Sequence, residues 1–139
     1  MRSKTIELLD CVPDEFLCCK SADNRTVAQI FAHIHDGVCI WMKSHSESWP
    51  CDEIGETHQH AREKLREALV ESGKGLMNLF GSSNNDFLIS DISIVGTGAD
   101  LICYLAAHEA HHHGEIATLV LQAGQSEVHK SIWSEGKEI

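Results

Sequence analysis

The 139-residue chain has no apolar run approaching 18 residues, so no membrane-spanning helix is expected. It is short of basic charge: 11 Lys and Arg stand against 21 Asp and Glu, a formal charge of −10. That balance argues against nucleic acid, whose phosphates demand basic surface, and against an anionic membrane face. There is no C-x-x-C pair among the six cysteines, at positions 11, 18, 19, 39, 51 and 103. Met1-Arg2-Ser3-Lys4 runs straight into a polar–apolar pattern instead of a signal-peptide core. A chain of this length has no need of staples, so reduced thiols in a cytoplasmic protein, with no structural bridge, are expected. Cys39 and Cys103 fall in helical segments and read as small core residues. Internal repeats, low-complexity segments and linkers are also missing, and the length fits one domain, residues 1–139. Residues 87–95 alternate somewhat in polarity. With no second convincing strand to pair with, they read as an extended connection.

What is present is helical periodicity. Residues 3–11 form a short amphipathic pattern with Ile6, Leu9 and Val12 on one side, and Pro13 opens a further turn. Thr26 and Gln29 make a capping box for a helix running to about Lys43, with Val27, Ile30, Phe31, Ile34, Val38 and Trp41 as its stripe. A third helix is expected between Thr57 and Phe80, its stripe drawn from Leu65, Leu69, Leu76, Leu79 and Phe80, with Gly73 and Gly75 as a weak point. Thr97-Gly98-Ala99-Asp100 resembles another capping box, and Gly124 reads as the C-cap of the long helix it opens. Trp133 is the large apolar anchor of the tail. Helices joined by short connections define an all-α protein, a four-helix bundle with ligands on facing helices.

The chemistry concentrates in His108-Glu109-Ala110-His111-His112-His113-Gly114-Glu115. His108 and His112 are four apart, so they stand one above the other on a single helix face. Leu101, Leu105 and Leu119 put that face on the buried stripe, where two unpaired imidazoles would be costly. A shared divalent cation removes the cost; a polar patch around one satisfied core histidine is the plain alternative. His111 and His113 fall off the stripe. Glu115 is three residues past His112 on the same face and suits an outer contact to a ligand, whereas Glu109 points about a quarter-turn from His108. On the second helix His33 and His35 flank the apolar stripe on opposite sides, and periodicity does not choose between them. Asp36 can orient a histidine or a water from outside the ligand shell, or be an exposed helix carboxylate. His58 and His60 sit at a solvent-prone helix start and read as surface residues.

Two stretches resemble a known family. Arg25 to Asp36, RTVAQIFAHIHD, is similar to the segment of DinB/YfiT-like proteins that carries their first metal histidine. Leu105 to Ile116, LAAHEAHHHGEI, is similar to their final-helix motif with two metal histidines four apart, and Ile132 to Lys137 resembles their closing tryptophan segment. The resemblance implies a four-helix bundle with the metal site between helices, held by His33, His108 and His112. It implies Zn²⁺ or sometimes Ni²⁺, often in a homodimer, and so favours His33 over His35. Characterised relatives of that kind include transferases and isomerases that use bacillithiol, mycothiol or glutathione. Two positions depart from the family's habit: His113 stands where arginine is common and Glu115 where glutamine is common.

The expected function is therefore metal-dependent transfer of a small-molecule thiol to an electrophile. A metal-dependent hydrolase and a non-catalytic metal-binding or interaction module are the alternatives. His108-Glu109-Ala110-His111-His112 also matches H-E-x-x-H, in which Glu109 would be the general base of a zinc protease. The extended protease motif needs glycine at 115 and histidine at 118, where this chain has Glu115 and Thr118.

Overall fold

The computed structural model describes residues 1–45, 51–56, 61–82, 88–89 and 96–124. Thr57, His58, His60 and the tail with Trp133, all singled out above, lie outside the described residues, as do the side chains of Leu79 and Phe80.

The first helix, α1, spans Arg2–Cys11 and buries Thr5, Leu8 and Leu9; Val12, just past its end, is also buried. Those positions, three and four apart, define a face slightly rotated from the one expected, and Ile6 is only partly buried. Pro13 ends the helix: a residue before proline is pushed out of the α region, and Val12 sits at φ −73°, ψ 121°. A 3₁₀ turn, Asp14–Phe16, follows. The open carbonyls at the end of α1 are satisfied from a distance, because the Arg62 guanidinium donates to Leu9 O and Val12 O while pairing with Asp14 at 2.8 Å.

The second helix, α2, is Val27–His45. Its capping box forms as expected: Gln29 N donates to Thr26 Oγ1 at 3.1 Å, and Thr26 N to Gln29 Oε1 at 2.8 Å. Ahead of it, Asn24 takes a left-handed φ of 69°, which asparagine tolerates better than most residues. α3 covers Arg62–Ser82 and buries Leu65, Ala68, Leu69 and Ser72. Gly73 is a point of close approach on that helix, since a Cβ there would lie 2.7 Å from Arg2 Cγ. α4, Gly98–Gln122, is the long helix and stops where Gly124 turns left-handed at φ 85°.

The principal packed pairs are α1 with α3, α3 with α2, α2 with α4, and α4 with α1, which closes a ring of four helices. The bundle is the one the periodicity implies. One core cluster joins Leu8 and Leu9, Ile30, Phe31 and Ile34, Leu65 and Leu69, and Ile116 and Val120. A second, around Val38, Met42, Leu101 and Leu105, fills a further part of the α2–α4 interface.

Two expectations are corrected. Leu88–Ile89 (β1) pairs antiparallel with Gly96–Thr97 (β2), so the connection carries a two-residue ladder. It is too short to be legible as alternation, since the first strand uses only two of the nine residues considered. The second correction concerns the thiols. Cys39 and Cys51 form a disulfide, whereas Cys11, Cys18, Cys19 and Cys103 are free. Of the two cysteines read as core residues, Cys39 is buried and Cys103 is exposed. Among the described residues, no helix is long and apolar enough to cross a membrane.

Candidate metal centre

Because α2 and α4 are ring neighbours, a histidine on each can meet. His33 lies one turn before Gly37 on α2, and Gly37 leaves the space that His108 of α4 fills. A Cβ on Gly37 would stand 3.2 Å from His108 Cε1. Glycine is favoured there by the close approach of a ring, not by backbone conformation. His33 Nε2 and His108 Nε2 are 3.1 Å apart, and His112 Nε2 is 3.2 Å from His108 Nε2. The ring planes cross steeply, at 81° for His33 and His112 and 84° for His108 and His112, so three lone pairs converge from different directions.

That is the spacing a tetrahedral cation wants. With nitrogens at roughly 2.0–2.1 Å from zinc, neighbouring ligand nitrogens lie about 3.3 Å from one another. The donor set passes a second test in its electrostatics. Burial, then the neighbouring imidazoles of His112 and His33, pushes the His108 pKa down from 6.5 to about 4. Burial likewise lowers that of His112, against the pull of Glu115. These rings are therefore neutral at physiological pH, the form that offers a lone pair.

The outer nitrogens are held by carboxylates. His33 Nδ1 is 2.6 Å from Glu56 Oε1, and His112 Nδ1 is 2.8 Å from Glu115 Oε2. Such a contact fixes the tautomer with hydrogen on Nδ1, leaves Nε2 free to coordinate, and raises its basicity. Glu115 reaches His112 from three residues on, along the helix face that its spacing gave it. Glu56 escaped the sequence reading: it is 23 residues from His33, and no local periodicity connects them. It is delivered by the strap of residues 51–56, which is tied to α2 at several points. Asp36 Oδ1 and Oδ2 accept from Ile54 N at 2.8 Å and Gly55 N at 3.0 Å. Gln29 Nε2 donates to Glu56 O at 2.9 Å, and Arg25 pairs with Glu56 at 3.2 Å.

Asp36 therefore holds the strap: its two oxygens accept from strap amides and not from His33, His108 or His112. Glu109 is also moved out of the site. It is buried against α1, accepting from Thr5 Oγ1 and standing 3.7 Å from the Arg2 guanidinium. With its carboxylate on that face it cannot serve as the base of an H-E-x-x-H protease. His113 joins the same group, its Nε2 2.7 Å from Thr5 Oγ1. His111 is exposed and touches the His112 ring edge-on. His35 is fully buried on another side of α2, away from the three-nitrogen cluster, with Nε2 2.9 Å from Asp52 O.

An aromatic wall flanks the centre. Tyr104 stacks on His108 with centroids 6.0 Å apart at 19°, and Trp41 leans on Tyr104 at 4.9 Å. Beyond Glu115 a cleft of about 600 Å³ runs between residues 21–23 and the outer face of α4.

A ring of four helices with histidines from two facing helices aimed at one point defines a metal-binding helical bundle. The chain matches the model of the DinB family over residues 1–132, and it belongs to that family. Family membership and the histidine cluster together support binding of a divalent metal. No curated protein and no solved structure matches the sequence.

Proposed function

We propose that His33, His108 and His112 hold one divalent cation through their Nε2 atoms, and that the protein is a metal-dependent enzyme transferring a small-molecule thiol to an electrophile. The observation that carries the reading is the convergence of three imidazole nitrogens with carboxylates behind two of them. Three nitrogen ligands are the number found in catalytic zinc sites, which keep a position for substrate; structural sites use four protein ligands. Zn²⁺ suits imidazole donors in this geometry, and Ni²⁺ is the other candidate.

A cation bound here supplies Lewis acidity that makes a thiol or a water a nucleophile near neutral pH. The chain's own residues supply the rest. Glu56 and Glu115 keep His33 and His112 in one tautomer, so neither ring spends its Nε2 on a proton. Tyr104 and Trp41 make one side of the site apolar, which suits a hydrophobic electrophile and strengthens electrostatic contacts by excluding water. His33 is the more open ligand, 29% exposed at its side chain against 6% for His112, so substrate approaches from its side. Hydrolysis uses the same ligands and is the rival reaction. A homodimer and a single domain over residues 1–139 are part of the proposal.

The deciding experiment loads the protein with zinc and offers a model electrophile with glutathione, bacillithiol or mycothiol in turn. Conjugation accelerated above the His112→Ala background supports the transferase. Cleavage of ester or amide substrates with no thiol dependence replaces it with a hydrolase.

A further inference from the structure

Three chemistry-bearing side chains outside this centre lie together in the dry interior. His35 and Cys39 are 0% exposed and Cys51 is 2% exposed. His35 and Cys39 are four residues apart on α2, one turn, and Cys51 opens the strap that crosses them. His35 Nε2 is 3.4 Å from Cys39 Sγ and 3.9 Å from Cys51 Sγ. The same nitrogen lies 2.9 Å from Asp52 O, which adds an oxygen to the cluster. The other ring nitrogen, Nδ1, is buried and has no hydrogen-bond partner among the described residues.

We propose that His35, Cys39 and Cys51, once the disulfide is reduced, form a second site for a divalent cation of the zinc class. This site is separate from the three-histidine centre and does not rest on it.

Charge and burial argue for that ligand class. Two thiolates cancel the charge of a divalent cation, and a neutral imidazole adds none, so the filled site is neutral overall. Only a neutral unit is tolerated in a site this deeply buried, where an unpaired charge costs far more than any packing gain. Soft thiolates with one imidazole select zinc over magnesium or calcium, which want oxygen. Nε2, the ring nitrogen that faces both sulfurs, is the one that would bind the cation.

The chemistry balances in two steps. Two molecules of a small thiol reduce the Cys39–Cys51 bond; their two electrons and two protons go to the protein sulfurs, and they leave as their own disulfide. The cation then displaces both thiol protons. Disulfide and metal are thus alternative ways of anchoring Cys51, the first residue of the strap whose last residue is Glu56.

Cobalt(II) is the probe, because thiolate ligation gives a near-ultraviolet charge-transfer band that imidazole ligation does not. The full-length protein is reduced without oxygen, freed of reductant and titrated with cobalt. The reduced wild-type protein takes up one equivalent with the band that the oxidised protein does not, beyond what the three-histidine centre binds in both. His108→Ala/His112→Ala loses one equivalent and keeps the band. Cys39→Ser/Cys51→Ser loses the band and keeps the other equivalent. Replacing the four remaining cysteines by serine leaves the band in place and excludes Cys18-Cys19 as its source. One equivalent and no band in reduced wild-type protein overturns the proposal, as does a band that survives Cys39→Ser/Cys51→Ser. Both wild-type readings stand even if a variant fails to fold.

Discussion

Glu56→Gln tests how far the strap tunes the metal centre. Glutamine keeps the length and can still accept from His33 Nδ1 through its carbonyl oxygen, so the geometry at 2.6 Å survives and only charge is removed. Loss of a carboxylate behind a metal-bound histidine costs about 10–100-fold in affinity. The Glu56 side chain is 35% exposed, and solvent screening places the loss towards the lower end. Arg25 pushes the other way. It pairs with Glu56 at 3.2 Å, and with that partner gone its positive charge faces the cation uncompensated. We expect about a tenfold weaker zinc Kd, about 1.4 kcal/mol. Competition against a chromophoric chelator measures it, with circular dichroism to confirm the fold. Arg25→Ala in the Glu56→Gln background recovers part of the loss, and raising the salt shrinks it. A Kd within twofold of wild type in low salt would refute the role assigned to Glu56.

Gly37→Ala puts a Cβ 3.2 Å from His108 Cε1, so the ring must move by a few tenths of an ångström; zinc affinity should fall severalfold while thermal stability barely changes, as titration and calorimetry would show. Metal-free protein should lose stability on acidification between pH 6.5 and about 4, because in that window the unfolded chain protonates His108 and the folded chain resists it. A His108→Gln protein with the same pH slope would contradict that. In an open helix Gly→Ala gains up to about 1 kcal/mol, but Gly73→Ala should destabilise, its Cβ meeting Arg2 Cγ at 2.7 Å. An Arg2→Ala background should recover the gain, read from denaturant midpoints.

The bundle was legible because each helix carries its own evidence. A capping box at Thr26, a proline after Val12, a glycine at 124 and stripe positions such as Leu65 and Leu69 are local signals, and the structure uses each of them. The His108 and His112 pair was legible for the same reason, since spacing within one helix fixes a shared face. What could not be read is what the strap does. Glu56, Cys51 and the true partners of Asp36 depend on where residues 51–56 cross α2, and a segment with no period of its own announces no register. Glu109 misled for a related reason: its neighbours in sequence are histidines, but its neighbours in space are Thr5 and Arg2, more than a hundred residues away.

The ambiguity between His33 and His35 has a physical cause in the burial of α2. An amphipathic helix has one inward face, and a polar residue off it is solvated. α2 is packed on both sides, by α3 and by α4, so flanking positions are inward too. His33 turns to α4 and meets two imidazoles; His35 turns to the strap and meets two sulfurs. Periodicity could not choose because the helix has more than one interior side, each with its own set of donor atoms. The strap joins them, anchored at Cys51 beside His35 and ending at Glu56 against His33. Between those ends the amides of Ile54 and Gly55 are fixed on Asp36, so one segment with no period of its own decides what each histidine faces.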